Sequence, residues 1–322
     1  MQRVALLLAI GVMSGTSTTQ PATVQTSATA NDQCSVAIVS RFVDPKAPTC
    51  DIKTAEHMAR NGNLYQQNQV GIASMLAIGS DFSRKDALAW FQQAAQRGYP
   101  PAEVNLAVMY INGWGTNTNY GIAQLWLRRA ADQHFARAYY NLGILYLEGK
   151  GVHQDNVKAL RWFQKGAEAG DSSAQTNLGY MYDLGLGCEK NIVTAAKWYR
   201  KAADAGNPLG ENNLADLYLR GEGVAQDDVQ AFHWFEKAAD QGHTGARIKL
   251  GYMYAEGRGT AKDPQTAYFW ITAASAAGDN RGRELQHMLE QQLNAKQIAE
   301  AHDRVNHLQQ ATPHVPASSF VQ

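Results

Sequence analysis

The sequence predicts an all-α protein, a right-handed superhelical α/α solenoid of stacked helix pairs, and three periodic observations carry that expectation. Six of the seven tryptophans, Trp90, Trp126, Trp162, Trp198, Trp234 and Trp270, lie 36 residues apart. Leu106, Leu142, Leu178, Leu214 and Leu250 keep the same phase, as do Tyr110, Tyr146, Tyr182, Tyr218 and Tyr254, and a Gly-x-Gly follows each tyrosine. An alanine stands three residues before every periodic tryptophan: Ala87, Ala123, Ala159, Ala195, Ala231 and Ala267. A fixed period of this length marks a chain of supersecondary units, none able to bury both its faces alone, so that stacking supplies the core. Residues 64–279 hold six units.

The chain ahead of the repeats reads as an address. Arg3 precedes an apolar run, Val4 to Met13, and nine of the seventeen residues from Ser14 to Ala30 are Ser or Thr. This is the pattern of a secretory signal peptide, with Ala28-Thr29-Ala30 as an Ala-x-Ala cleavage site, although an earlier cut would leave a Ser/Thr-rich tail. Residues 1–30 are therefore expected to export the chain to the periplasm or the exterior. At ten residues the apolar run is too short to span a bilayer, so no transmembrane segment is expected. Residues 31–63 form an N-terminal extension in which an oxidising compartment would let Cys34 pair with Cys50, closing a loop of about 15 residues worth roughly 3 kcal/mol. Cys188 stands where other units carry Val or Thr and reads as a packed small side chain.

Each unit reads as two helices. Ala138, Leu142, Leu145 and Tyr146 make an apolar stripe on helix A, which stops at the first glycine of Gly-x-Gly. Helix B starts at Ser83, Asn119, Asp155, Asn191, Asp227 or Asp263, side chains that accept from orphan N–H groups. It ends at Gly98, Gly170, Gly206, Gly242 or Gly278, with His134 in the second unit. The periodic tryptophans are read as the repeat core, filling the space between units, so Trp198→Ala is expected to cost roughly 3–5 kcal/mol. Trp114, out of register between two glycines, reads as a plug against the neighbouring unit. Residues 280–312 read as capping helices and 313–322 as a tail.

The run Ala138-x3-Leu142-Gly143-x2-Tyr146-x2-Gly149-x-Gly151-Val152, then a cap at Asp155 and Ala159-x2-Trp162 closing at Gly170, resembles the Sel1-like repeat family. Its 36-residue length separates it from the related tetratricopeptide repeat. The first unit departs from the pattern, with Ser74 in place of the tyrosine and Ala77 in place of the first glycine, as suits a capping unit. The resemblance implies an exported scaffold or adaptor that binds a protein or peptide partner in a groove lined by helix A. Residues that vary between units there are Tyr140, Ile144, Thr176, Tyr180, Asp183, Asn212, Asp216 and Tyr252. Some cysteine-rich exported members of the family are linked to β-lactam binding. An envelope enzyme or small-molecule-binding protein of that branch is the alternative, and the absence of a Cys pair in each repeat speaks against it.

Chemistry-bearing motifs are few. Twenty-nine basic and 29 acidic residues cancel, which argues against nucleic acid as partner. No Gly-x-Ser-x-Gly elbow, His-Glu-x-x-His, Cys-x-x-Cys or phosphate loop occurs. His302 and His307 are five apart, a spacing that does not suit a metal site on one helix. The reading is thus of a non-enzyme without metal or cofactor.

Overall fold

The structure, a computed structural model, describes residues 52–75 and 83–311, so Cys34, Cys50 and the leader lie outside the described residues. The described chain is helical. A helices are α2 (Leu64–Met75), α4 (Pro100–Asn112), α6 (Ala136–Glu148), α8 (Ser172–Leu184), α10 (Pro208–Arg220) and α12 (Thr244–Glu256). B helices are α3 (Arg84–Gln96), α5 (Tyr120–Asp132), α7 (Asn156–Glu168), α9 (Ile192–Asp204), α11 (Asp228–Asp240) and α13 (Pro264–Ala276). Ahead of them runs α1 (Ile52–Arg60), and after them a 3₁₀ turn (Asn280–Gly282), α14 (Arg283–Glu290) and α15 (Ala295–Ala311). From α1 to α7, and again from α9 to α13, successive helices pack side by side, both within pairs and from one pair to the next, which is the solenoid arrangement. The chain forms two compact units, 52–174 and 175–311, the division falling inside α8.

Local chemistry sets the boundaries. At the start of each B helix with Ser83, Asn119, Asp155, Asn191, Asp227 or Asp263 as cap, the side chain accepts a backbone N–H of the first turn. The first glycine of Gly-x-Gly adopts a left-handed conformation, as at Gly257 with φ 73°. At Gly115, Gly151, Gly223 and Gly259 the second glycine is left-handed too and meets the first turn of the preceding B helix. A β-carbon on Gly259 would lie 2.1 Å from the carbonyl oxygen of Asp228, and one on Gly115 would lie 2.3 Å from that of Arg84. Gly-x-Gly is therefore a turn and also the point where one repeat seats on the one before it. Between those glycines, Trp114 packs beside the core of the first two repeats, with the Arg84 guanidinium 5.8 Å from its ring.

His134 is the one non-glycine residue with positive φ among the described residues, at 60°. Its Nδ1 lies 3.2 Å from the Tyr139 hydroxyl. A left-handed non-glycine backbone is disfavoured by about 1–2 kcal/mol. His134→Gly is thus expected to raise stability by about 1 kcal/mol after the looser unfolded chain is counted, read from paired urea melts.

The tryptophans hold less of the core than their spacing suggests. Trp234 and Trp270 are buried, but Trp90, Trp126, Trp162 and Trp198 are only half-buried. The next residue in each repeat is the deepest one: Phe91, Leu127, Phe163, Tyr199, Phe235 and Ile271 are at most 1% exposed. The helical stripe explains this, since Ala159, Phe163 and Ala167 lie four apart on one face and Trp162 flanks it. Four A helices make room with a glycine. A β-carbon on Gly143 would stand 2.6 Å from the Phe163 ring, and one on Gly179 2.7 Å from the Tyr199 ring. The outer tryptophan faces carry cations: Lys165 Nζ lies 4.9 Å from the Trp162 ring centroid, and Lys201 Nζ 4.2 Å from that of Trp198.

One position in the first turn of helix A is polar and buried throughout. Gln67, Tyr139 and Arg247 each donate to a backbone carbonyl eight residues back, Ala59, Ala131 and Ala239, at 2.9, 3.0 and 3.1 Å. These carbonyls belong to the last turn of the preceding helix, where intrahelical partners run out. Because α1 receives this bond as a B helix does, it serves as the last half of a repeat ahead of the first. At the other end, Tyr268 bonds Glu290 of α14 and His302 of α15, tying both to α13.

Candidate functional site

Burial divides the predicted groove residues. In the 52–174 unit, Tyr140 and Ile144 are 7% and 8% exposed. The Tyr140 ring lies 6.1 Å from that of Phe163, and burial pushes its hydroxyl pKa up to about 12. In the 175–311 unit, Thr176 is buried and donates its hydroxyl to Asn207 Oδ1 at 3.2 Å. Asn207 in turn caps α10, accepting from the backbone of Leu209 and Gly210. The expectation that Tyr140, Ile144 and Thr176 face a partner is thus corrected: this side of helix A is taken up by packing. Tyr180, Asp183, Asn212 and Asp216 are half-buried, and Tyr252 is exposed.

Three of these converge in the second unit. Asn212 and Asp216 of α10 and Tyr252 of α12 line a half-open cleft of about 340 Å³, completed by His243, Gly245, Ile248, Lys249 and Arg281. The floor is Ile248, itself buried. Lys249 Nζ spans the cleft to Asp216 Oδ1 at 3.2 Å. At the rim, Arg281 forms a two-pronged bond with Asp279 at 2.9 and 2.5 Å, which holds that carboxyl down at about 2. His243 caps α12 by accepting the Ala246 N–H at its Nδ1, 3.0 Å away. Burial, then the nearby Arg281, lowers its pKa, which keeps the ring neutral and the cap intact.

Gly245 explains why the cleft opens here. At the same phase the preceding repeats carry Pro101, Arg137, Ser173 and Leu209. A β-carbon at Gly245 would stand 3.1 Å from the His243 ring and 3.5 Å from the Arg281 guanidinium, inside the mouth. The result is an aromatic edge, a carboxamide and one ion pair over an apolar floor, a surface suited to gripping a side chain of another molecule. Its lining holds no nucleophile set against a base. Among the described residues no group of three or more His, Cys, Asp or Glu gathers for a metal, and no helix is long and apolar enough to cross a membrane.

The Sel1 repeat model matches six consecutive stretches, residues 71–99, 100–135, 136–171, 172–207, 208–243 and 245–279. The chain belongs to the Sel1 repeat family. A Sel1 repeat protein from Oxalobacter formigenes is 30% identical, with a TM-score of 0.63 over 70% of this chain and all of that one. A protective antigen of uropathogenic Escherichia coli displaying an SLR fold is 26% identical over 87% of this chain and 70% of that one, with a TM-score of 0.47. An immunity protein of Pseudomonas aeruginosa is 17% identical over 85% and 86%, with a TM-score of 0.48. No curated protein matches.

Each Sel1 repeat spends one side of helix A on its neighbours, which is why reading variable positions alone named buried residues. Sequence reasoning missed His243, Gly245, Lys249 and Arg281. The available signal was phase: Arg281 falls 36 residues after Gly245, at the start of what would be a seventh helix A. Cys188 is a free, half-buried thiol whose pKa burial raises, in line with its reading as a packed side chain.

Proposed function

We propose that this Sel1 repeat protein is an exported scaffold that grips a segment of a protein partner in the cleft between α10 and α12. Sel1 repeats are scaffolds that commonly mediate protein interactions. The observation that carries the finer reading is the convergence of Asn212, Asp216 and Tyr252 on one cleft beside an exposed Lys249. Tyrosine offers wide contact area with a hydrogen-bonding tip, and the Asp216–Lys249 pair can exchange for partner charges of either sign. The leader pattern of residues 1–30 supports export.

Immobilised wild-type chain and a Tyr252→Ala/Lys249→Glu variant are compared in capture from envelope extract, with Tyr140→Phe as the buried control. The expected outcome is a partner retained by wild type and Tyr140→Phe and reduced at least tenfold on the cleft variant, since loss of a central aromatic anchor weakens binding by about 2 kcal/mol or more. Equal retention by all three, with unchanged circular dichroism, would rule the cleft out.

A further inference from the structure

Two repeats three units apart carry the same buried constellation with one residue changed. A glutamate in the first turn of helix A, Glu103 in α4 and Glu211 in α10, is buried at 0% and 2% exposure. Thirty residues on, Gln133 and Gln241 end the B helices and donate their Nε2 to these carboxylates at 2.9 and 2.7 Å. Twenty-six residues on stands a cation, Arg129 in one and Lys237 in the other. Arg129 sets its Nε 2.8 Å from Glu103, so that carboxylate has a counter-charge in contact. Lys237 instead lies with its Nζ 4.3 Å from the Trp234 ring centroid, and among the described residues no ion pair joins it to Glu211. A guanidinium fork reaches a carboxylate and stacks on a ring together, whereas a compact ammonium does one or the other.

Glu211 is therefore a buried carboxyl held by one amide. Burial pushes its pKa up to about 7, against partial opposing pulls from Lys237 and the Gln241 bond. Lys237 of α11 is the charged group acting on it; among the described residues none from α9 or α12 contributes. The contact bears on the cleft, because Gln241 leads through Gly242 into His243, which forms one wall and caps α12.

We propose that Glu211 makes this turn protonation-controlled: as the neutral acid it stays buried between α10 and the α11–α12 turn, and as a carboxylate buried without an ion-paired cation it is drawn toward water, loosening the turn and the cleft wall built on it even though its bond to Gln241 strengthens. This control rests on the packing of the fifth repeat and not on what the cleft binds. With the folded pKa above the unfolded one, its contribution is fully present below the ordinary glutamate range and is lost as pH rises through about 7.

The test is amide hydrogen exchange on the full chain at pH 5.5 and 8.5, corrected for intrinsic rates and read on peptides covering residues 241–246. Wild-type protection is expected to fall by about tenfold or more between the two conditions, as each unit of pKa shift is a factor of ten. Glu211→Gln should hold its protection at both pH values, and Lys237→Arg, which restores the first constellation, should hold it at pH 8.5. Parallel wild-type and Glu211→Gln profiles, or a flat wild-type profile, would overturn this control. If Glu211→Gln does not fold, Lys237→Arg decides alone: protection at pH 8.5 no better than wild type overturns it.

Discussion

Replacing Gly259 with alanine is expected to destabilise the protein by about 3 kcal/mol or more, one of the two largest single-residue effects foreseen. Two penalties coincide there. The backbone is left-handed at φ 66°, which disfavours any side chain. The added β-carbon would also sit 2.1 Å from the Asp228 carbonyl oxygen and 2.6 Å from its carbon. Those atoms belong to the first turn of α11, so relief requires one repeat to move off the other. Gly206 separates the terms: its φ is 74°, but nothing lies within 4 Å of the missing β-carbon. Gly206→Ala should therefore carry the strain alone, about 1–2 kcal/mol. Urea melts of both variants by circular dichroism check the comparison. Because a repeat array unfolds as coupled neighbouring units, Gly259→Ala should also broaden or split the transition. Equal shifts for the two glycines would mean that the second glycine is only a turn residue.

The second large effect concerns the residue beside each tryptophan. Tyr199→Ala is expected to lose about 3–5 kcal/mol, because it empties a fully enclosed site facing Gly179 that no neighbouring side chain fills. Trp198→Ala should lose about 2 kcal/mol, since that indole is only half-buried and part of its contact is the Lys201 ammonium on its outer face. The order reverses the expectation drawn from the tryptophan spacing. Thermal melts of the two variants on the same preparation decide it, and a larger loss for Trp198→Ala would return the tryptophan to the centre of the core.

The tryptophan period made the architecture readable because a repeated unit repeats its side-chain chemistry. The caps from Ser83 to Asp263 were legible for the same reason: a short oxygen-bearing side chain ahead of an apolar stripe has one job at a helix start. Depth was harder to read. Trp162 is larger and rarer than Phe163, so it dominates the pattern, yet which of the two points inward depends on a rotation of about 100° around the helix. The glycine at 143, in phase with 71, 179 and 251, was the clue that an aromatic ring presses there. The helix at residues 52–60 lacks the tryptophan and the Gly-x-Gly, and it is the Gln67–Ala59 bond and the left-handed Gly62 after it, in phase with Gly98, that reveal it as part of the array.

The site was legible in part. Variation between units led to Asn212, Asp216 and Tyr252, which line the cleft, and equally to Tyr140 and Thr176, which are buried. The two sets look alike in sequence because both faces of helix A vary, one to fit its neighbour and the other to meet solvent. What opened the cleft was an absence, Gly245 where other repeats carry a side chain. Absence has no signal until the neighbours that would fill the space, His243 and Arg281, are in place.

We propose that partner contact occurs on the α10–α12 cleft and not on the outer B-helix surface. A photo-activated benzophenone side chain placed at Tyr252, and in a separate chain at the exposed Val229 of α11, tests this most directly in envelope extract. One discrete crosslinked partner is expected from position 252, abolished by Lys249→Glu, and none from 229. A partner crosslinked from 229 and absent from 252 would contradict it.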